Sequence, residues 1–222
     1  MTIADKITQY HSKFAPSGVE LVAVSKFHPS DAIKQAYDAG QRIFGESRVQ
    51  ELLAKIHILP DDIRWHFIGH LQTNKVRQII GKTALIESVD SEKLLNLIDA
   101  ESLRAGVTTN ILLQIHVAME ETKSGFSPDE FIRFFTDRKF EQLKATHICG
   151  VMGMASNTDD TDRVEADFNA IANLFRQALE IAPDLRGFKI ISMGMSGDYP
   201  LAIKAGANLV RIGTDIFGER QY

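Results

Sequence analysis

"LVAVSKFHPSDAIKQAYDAGQRIFGE", residues 21–46, reads as a strand, a turn, a helix and a second strand. Leu21–Val24 is an unbroken apolar run, the mark of a strand buried on both faces. After Pro29, apolar residues recur every three or four positions at Ala32, Ile33, Ala36 and Tyr37, and Gly40 stops the helix. Ile43–Gly45 is the next short apolar run. The stretch is one strand–helix unit followed by the start of another, and it delivers a lysine, Lys26, to the carboxyl end of its first strand.

The same alternation continues along the chain. Apolar runs follow at Trp65–Gly69, Leu85–Val89, Ile111–Val117, Ile148–Met154, Ile190–Met195 and Leu209–Gly213, which with the first two make eight candidate strands. Helical faces lie between them: Leu94, Leu95, Leu97, Ile98 and Leu103 mark one, and Val164, Phe168, Ile171, Phe175 and Leu179 another. "AYDAGQRIFGE" (36–46) and "AIKAGANLVRIG" (202–213) repeat the order helix, Ala-Gly stop, short loop, strand. Eight such units predict an α/β fold, a (β/α)8 TIM barrel forming a single domain over residues 1–222. The alternative is a doubly wound open sheet, which usually carries a Gly-rich first turn; "SKFHPS" is not one. An extra helix at Ile3–Phe14 precedes the first strand and is expected to cap the bottom of the barrel.

Composition narrows the function. Of the 222 residues 44% are hydrophobic and 24% charged, as a packed core requires. A net charge of −4 argues against a general nucleic-acid binder. A single cysteine, Cys149, excludes an internal disulfide and a multi-cysteine metal site, and fits the reducing cytosol. "MTIADKITQYHSKF" lacks the apolar centre of a signal peptide, and no run approaches the ~18 residues of a membrane span.

In a barrel the ligand sits at the carboxyl ends of the strands. Those ends carry Ser25-Lys26, Glu46-Ser47, Gly69-His70, Asp90, His116, Met154-Ala155, Met195-Ser196 and Gly213-Thr214. Lys26 is either a solvated lysine or a partly desolvated amine, whose lowered pKa would make it a Schiff-base nucleophile. "SMGMSGDYP" (192–200) and "VRIGTDIFG" (210–218) end strands seven and eight with small residues and open helical segments. Ser196, Gly197, Gly213 and Thr214 there are either ordinary caps or an anion site built from hydroxyls and free amides. Arg211 lies two residues before Gly213 and faces inward, as a buried ion pair or as a cation aimed at a ligand. His66 and His70 in "HFIGH" have zinc-ligand spacing only on a helix; across a strand end they share no face. "TKSGFSP" (122–128) is expected as a loop near the site.

Together, "AVSKFHP", "FGESRVQE", "WHFIGHLQTNK", "ETKSGF", "GVMGMA", "SMGMSGDYPLAI" and "VRIGTDIFGER" resemble the pyridoxal phosphate homeostasis proteins, the YggS/PROSC family, from about Leu21 to the C-terminus. That family is similar to the N-terminal barrel of bacterial alanine racemase without its C-terminal β-domain. The resemblance implies that Lys26 holds pyridoxal 5′-phosphate as an aldimine, and that Ser196, Gly213 and Thr214 bind its phosphate. It further implies that Arg211 faces the pyridine nitrogen and that His66 and Ile68 belong to the strand beside the ring. The family pattern differs at Ser47, where it reads asparagine, and at His116 and Ala118.

The function implied is binding and buffering of the cofactor in the cytosol, with delivery to pyridoxal-phosphate-dependent apoenzymes, without robust turnover and as a monomer. The alternative is an amino-acid racemase. That reaction needs a second acid/base group, and Tyr10, Tyr37 and Tyr199 fall in helices or loops while Tyr222 is terminal.

Overall fold

A computed structural model describes residues 1–120 and 124–219. Eight strands, β1 (Glu20–Val24), β2 (Ile43–Glu46), β3 (Arg64–Phe67), β4 (Leu85–Val89), β5 (Thr109–Ile115), β6 (Thr146–Gly153), β7 (Ile190–Ser192) and β8 (Leu209–Ile212), form a closed parallel barrel in sequence order. Closure is made by β1 against β8, with Leu21 opposite Val210 and Ala23 opposite Ile212. This is the barrel that the alternation predicts, and closure excludes the open sheet. Around it run α1 (Ile3–Phe14), α2 (Ser30–Asp38), α3 (Val49–Ile56), α4 (Val76–Ile79), α5 (Glu92–Ala105), α6 (Pro128–Thr136), α7 (Thr161–Ile181), α8 (Tyr199–Lys204) and α9 (Thr214–Phe217). No helix among the described residues is long and apolar enough to cross a membrane.

Strand alternation divides the side chains between two cores. Leu21, Ala23, Phe44, Trp65, Phe67, Ile86, Ile111, Leu113, Val151, Val210 and Ile212 pack outward against the helices. Val22, Ile43, Leu85, Leu112, Met152 and Leu209 form a separate cluster inside the barrel. The interior is therefore a packed plug, as barrels of this size require.

Two expectations change. α1 begins as read, held by a capping box between Thr2 and Asp5. It does not cap the bottom. Lys6 Nζ and Tyr10 Oη reach Asp215, just past the carboxyl end of β8, at 2.9 and 2.6 Å, and the helix ends where the chain turns into β1. It therefore runs down the outer wall, beside α2 and the four-residue α9, and covers the seam that so short a final helix leaves open. Leu103, read as part of the apolar face of α5, is 55% exposed. Within "TKSGFSP", Thr122 and Lys123 lie outside the described residues; Ser124 and Phe126 are tied back to Gln114 of β5.

β6 contains one extra residue against β5, with the register shifting between Ile111 and Leu112. Gly150 sits at this irregularity with φ 151°, and a Cβ there would collide with the Ile190 carbonyl. Gly187 also has positive φ, 84°, but has open space around it. Gly150→Ala is expected to cost more than about 3 kcal/mol and Gly187→Ala about 1 kcal/mol, because only the first combines strain with a backbone clash. Urea unfolding of the two variants measures the difference; equal losses would remove the clash from the account.

Candidate functional site

Lys26 continues the inward phase of Val22 and Val24 past the end of β1, so its side chain enters the mouth of the barrel. There it lines a cavity of about 290 Å³ together with Val24 and His28. Ile68, just beyond β3, forms another part of the wall, and Met152 and Met154 of the β6 end a third. The segment after β7 supplies Met195, Ser196 and Gly197, and the end of β8 supplies Arg211, Gly213 and Thr214. Of the residues singled out from the sequence, Lys26, Ile68, Ser196, Arg211, Gly213 and Thr214 meet at this one cavity.

His66 does not line it. Its ring is buried below, inside the barrel, with Nδ1 2.7 Å from Glu87 Oε1. Glu87 Oε2 accepts from Ser192 Oγ at 2.5 Å, and Ser192 Oγ in turn accepts from Arg211 Nη1 at 2.6 Å. Arg211 Nη2 donates to the Gly153 carbonyl at 2.9 Å, and its guanidinium stands 3.8 Å from Glu87. Arg211 is thus paired with a core carboxylate, as the first of its two readings has it, and it also lines the cavity. Burial alone would push the Glu87 carboxyl up, but His66, Arg211 and Ser192 hold it below the ordinary carboxylate value. Burial pulls the Arg211 guanidinium down, against Glu87 and Asp198, and it remains a donor only.

The opposite end of the cavity suits an anion. The amides of Ser196, Gly197 and Gly213 make no backbone hydrogen bond among the described residues. Ser196 and Thr214, whose side chains carry hydroxyls, line the same cavity. α8 and α9 have six and four residues, so these loop amides and hydroxyls supply the site rather than long helix dipoles. At Gly213 a Cβ would come within 3.2 Å of Val24, which keeps the backbone close to the cavity wall. An amine, a permanent cation and an anion cradle around an apolar-walled space fit a phosphorylated aldehyde with an aromatic ring.

Other strand-end residues turn elsewhere. Ser25 and Glu46 face the outer layer, where they bond to each other at 2.6 Å. His70 pairs with Asp90 at 3.1 Å on the exposed rim, and His116 with the Glu120 carbonyl at 3.0 Å. Ser47 does not line the cavity, nor do Tyr10, Tyr37 and Tyr199. These tyrosines are bound to Asp215, Asp62 and Lys13; Tyr222 lies outside the described residues. No group of three or more histidine, cysteine or acidic residues placed to hold a metal occurs among the described residues.

Sequence reasoning missed His28, stacked on Phe217 at 5.1 Å, and the Glu87–Ser192 relay. Glu87 left a signal. It is a carboxylate inside the apolar run "LIESV", as Arg211 is a cation inside "LVRIG".

Residues 2–221 match the family model for the alanine racemase N-terminal domain. The chain is similar to the pyridoxal phosphate homeostasis protein of Schizosaccharomyces pombe, at 39% identity over 91% of this chain and 84% of that one. It is 40% identical to that of Helicobacter pylori strain J99 over 90% and 88%. The structure of PipY from Synechococcus elongatus PCC7942 with PLP bound superimposes with a TM-score of 0.89 at 36% identity, covering 98% of this chain and all of that one. Alanine racemase from Bartonella henselae, 17% identical with a TM-score of 0.75 over 98% of this chain and 58% of that one, shares the fold.

Glu87→Gln is expected to lower stability at pH 7 by about 3–5 kcal/mol, because it strips the charge that offsets buried Arg211. A depressed carboxyl pKa contributes stability above its unfolded value that is lost as pH falls through the folded one. The unmodified protein should therefore lose stability as pH drops below about 4.5. The variant should lack this component. Urea titrations between pH 3 and 7 separate the two; parallel curves would show that Glu87 is not held ionised.

Proposed function

Because this chain belongs to the pyridoxal phosphate homeostasis proteins, a family built on the N-terminal barrel of alanine racemase, we propose that its cavity binds pyridoxal 5′-phosphate with Lys26 as the residue of attachment. The observation that carries this reading is the meeting of Lys26, Arg211 and the Ser196–Gly197/Gly213–Thr214 cradle at one cavity. The bound cofactor supplies an aldehyde that condenses with a primary amine, with loss of one water, and a ring that draws electrons from the attached group. Lys26 presents the amine. Ser196 and Thr214 donate hydroxyls, and Gly197 and Gly213 donate amides, to the phosphate. Ile68, Met152 and Met154 exclude water from the ring, and His66 acts at one remove, through Glu87 and Ser192, by fixing Arg211.

The role is to hold the cofactor in cofactor homeostasis rather than to turn over amino acids. The relatives are named as homeostasis proteins, not enzymes. Arg211 gives the physical reason. A guanidinium can only donate, so a ring nitrogen held against Arg211, as the family resemblance implies, would stay unprotonated, and an unprotonated ring would draw electrons weakly. Racemisation would also require a second acid/base group beside Lys26. Tyr10, Tyr37 and Tyr199 are each engaged elsewhere. We take residues 1–222 as one cofactor-binding domain, monomeric and cytosolic, that releases its cargo to pyridoxal-phosphate-dependent apoenzymes.

Borohydride reduction of the purified, yellow protein followed by peptide mapping should give a pyridoxyl label on Lys26, and Lys26→Ala should remove it with the fold intact. A label mainly on Lys123 or Lys204 overturns the assignment. Ser196→Ala and Thr214→Val are each expected to weaken cofactor binding by about 1.5–3 kcal/mol, the value of a hydrogen bond to a charged group. Pyridoxal without its phosphate should bind far more weakly; equal affinity for the two forms would remove the phosphate cradle. No interconversion of alanine enantiomers is expected, and robust racemisation would favour the enzyme reading.

A further inference from the structure

Behind the strand that presents Lys26 lies a second lysine, Lys55 of α3, buried in the outer layer. Its ammonium spends all three donors. They go to the Ser25 carbonyl at 2.9 Å, Glu46 Oε1 at 2.8 Å and Glu51 Oε1 at 2.6 Å. Glu51 Oε1 also accepts the amide of Phe27 at 2.6 Å. Phe27 has φ 67°, a left-handed conformation that a bulky residue keeps only when its surroundings impose it. The Arg48 guanidinium lies over the Phe27 ring at 4.5 Å. On the other side, the Ser25 amide donates to the Gly45 carbonyl at 3.0 Å and its hydroxyl to Glu46 Oε1. The residues before and after Lys26 are thus both tied, directly or through one carboxylate, to Lys55.

An apolar pair would hold α3 against the wall at least as well, since buried ion pairs seldom outdo well-packed hydrophobic residues. What an apolar pair cannot do is fix a carbonyl and an amide on either side of a chosen residue. We propose that Lys55 is a positioning residue for Lys26: through the Ser25 carbonyl and the Glu51 carboxylate it sets the left-handed turn that aims the Lys26 amine into the cavity. The proposal rests on the reading of Lys26 as the attachment residue and names the device that places it.

The test separates attachment from binding. Pyridoxine 5′-phosphate keeps the phosphate and ring but has an alcohol in place of the aldehyde, so it reports the cradle and Arg211 alone. Lys55→Met should still fold, because burial pushes the neighbouring Glu46 up to about 7 and lets it accept a proton rather than remain a bare charge. Lys55→Met/Glu46→Gln removes the pair outright. In both, borohydride-trapped label on Lys26 at limiting pyridoxal 5′-phosphate should fall about tenfold while the Kd for pyridoxine 5′-phosphate stays within about threefold, as expected for lost hydrogen bonds behind the site rather than in it. Lys55→Arg should restore part of the label. Glu51→Ala, which frees the Phe27 amide from a partly exposed position, should show the same split. Unchanged labelling, or equal loss of both ligands, overturns the positioning role. Absence of Lys26 label from the unmodified protein would instead overturn the attachment reading, and the proposal with it.

Discussion

A guanidinium is kept from water only where a carboxylate shares its burial, and in this barrel that bargain is struck between Arg211 and Glu87. The floor of the cavity follows from it. The lower interior is closed by Val22, Ile43, Leu85, Leu112 and Leu209, with Met152 reaching from this plug to the cavity wall, and the plug has no polar atom in its side chains save the thioether sulfur. Above it the interior turns polar, with His66, Glu87, Ser192 and Arg211 linked in one chain of short hydrogen bonds. That layer is the floor of the cavity. It presents one cation upward and keeps its balancing charge out of reach below, so a ligand meets the positive end of a neutralised unit.

The outer face of the same wall carries a second polar unit of opposite logic. There two carboxylates, Glu46 and Glu51, share the single ammonium of Lys55. Strand alternation decides which residue belongs to which unit: Ser25 points outward to Glu46, while Lys26 points inward to the cavity. Adjacent residues thus serve two networks that never touch except through the backbone between them. This is economical in sequence, but any shift of one residue in register at β1 would exchange their roles.

Legibility from sequence followed the same division. The eight strands were readable because each is a short apolar run bounded by turn residues, and the existence of α1 was readable too, its start fixed in the structure by the Thr2–Asp5 capping box. The position of α1 was not readable. Its apolar face, Ile7, Tyr10 and Phe14, says that one side is buried but not against what; only the shortness of α9 leaves the seam for it to cover. Lys26, Arg211, Ser196, Gly213 and Thr214 stood out as polar or small residues ending apolar strands. His28 did not, because its arrival at the cavity depends on the left-handed turn at Phe27, which no local pattern announces. Lys55 was hidden for a related reason: on an amphipathic helix a lysine reads as solvent-facing, and its burial depends on two glutamates brought to it by the fold.

The seam between β1 and β8 also has a kinetic meaning. It joins the ends of the chain, and the Lys6–Asp215 contact that fastens it spans 209 residues. Contacts of such separation carry the greatest chain-closure entropy and slow the folding of chains that depend on them. The cavity straddles this seam: Lys26 stands on one side, Arg211 and Thr214 on the other. A ligand gripped from both sides can be complete only in the closed ring, and by mass action it favours that ring. A molecule bound across β1 and β8 would thus act as a hoop that keeps the staves together.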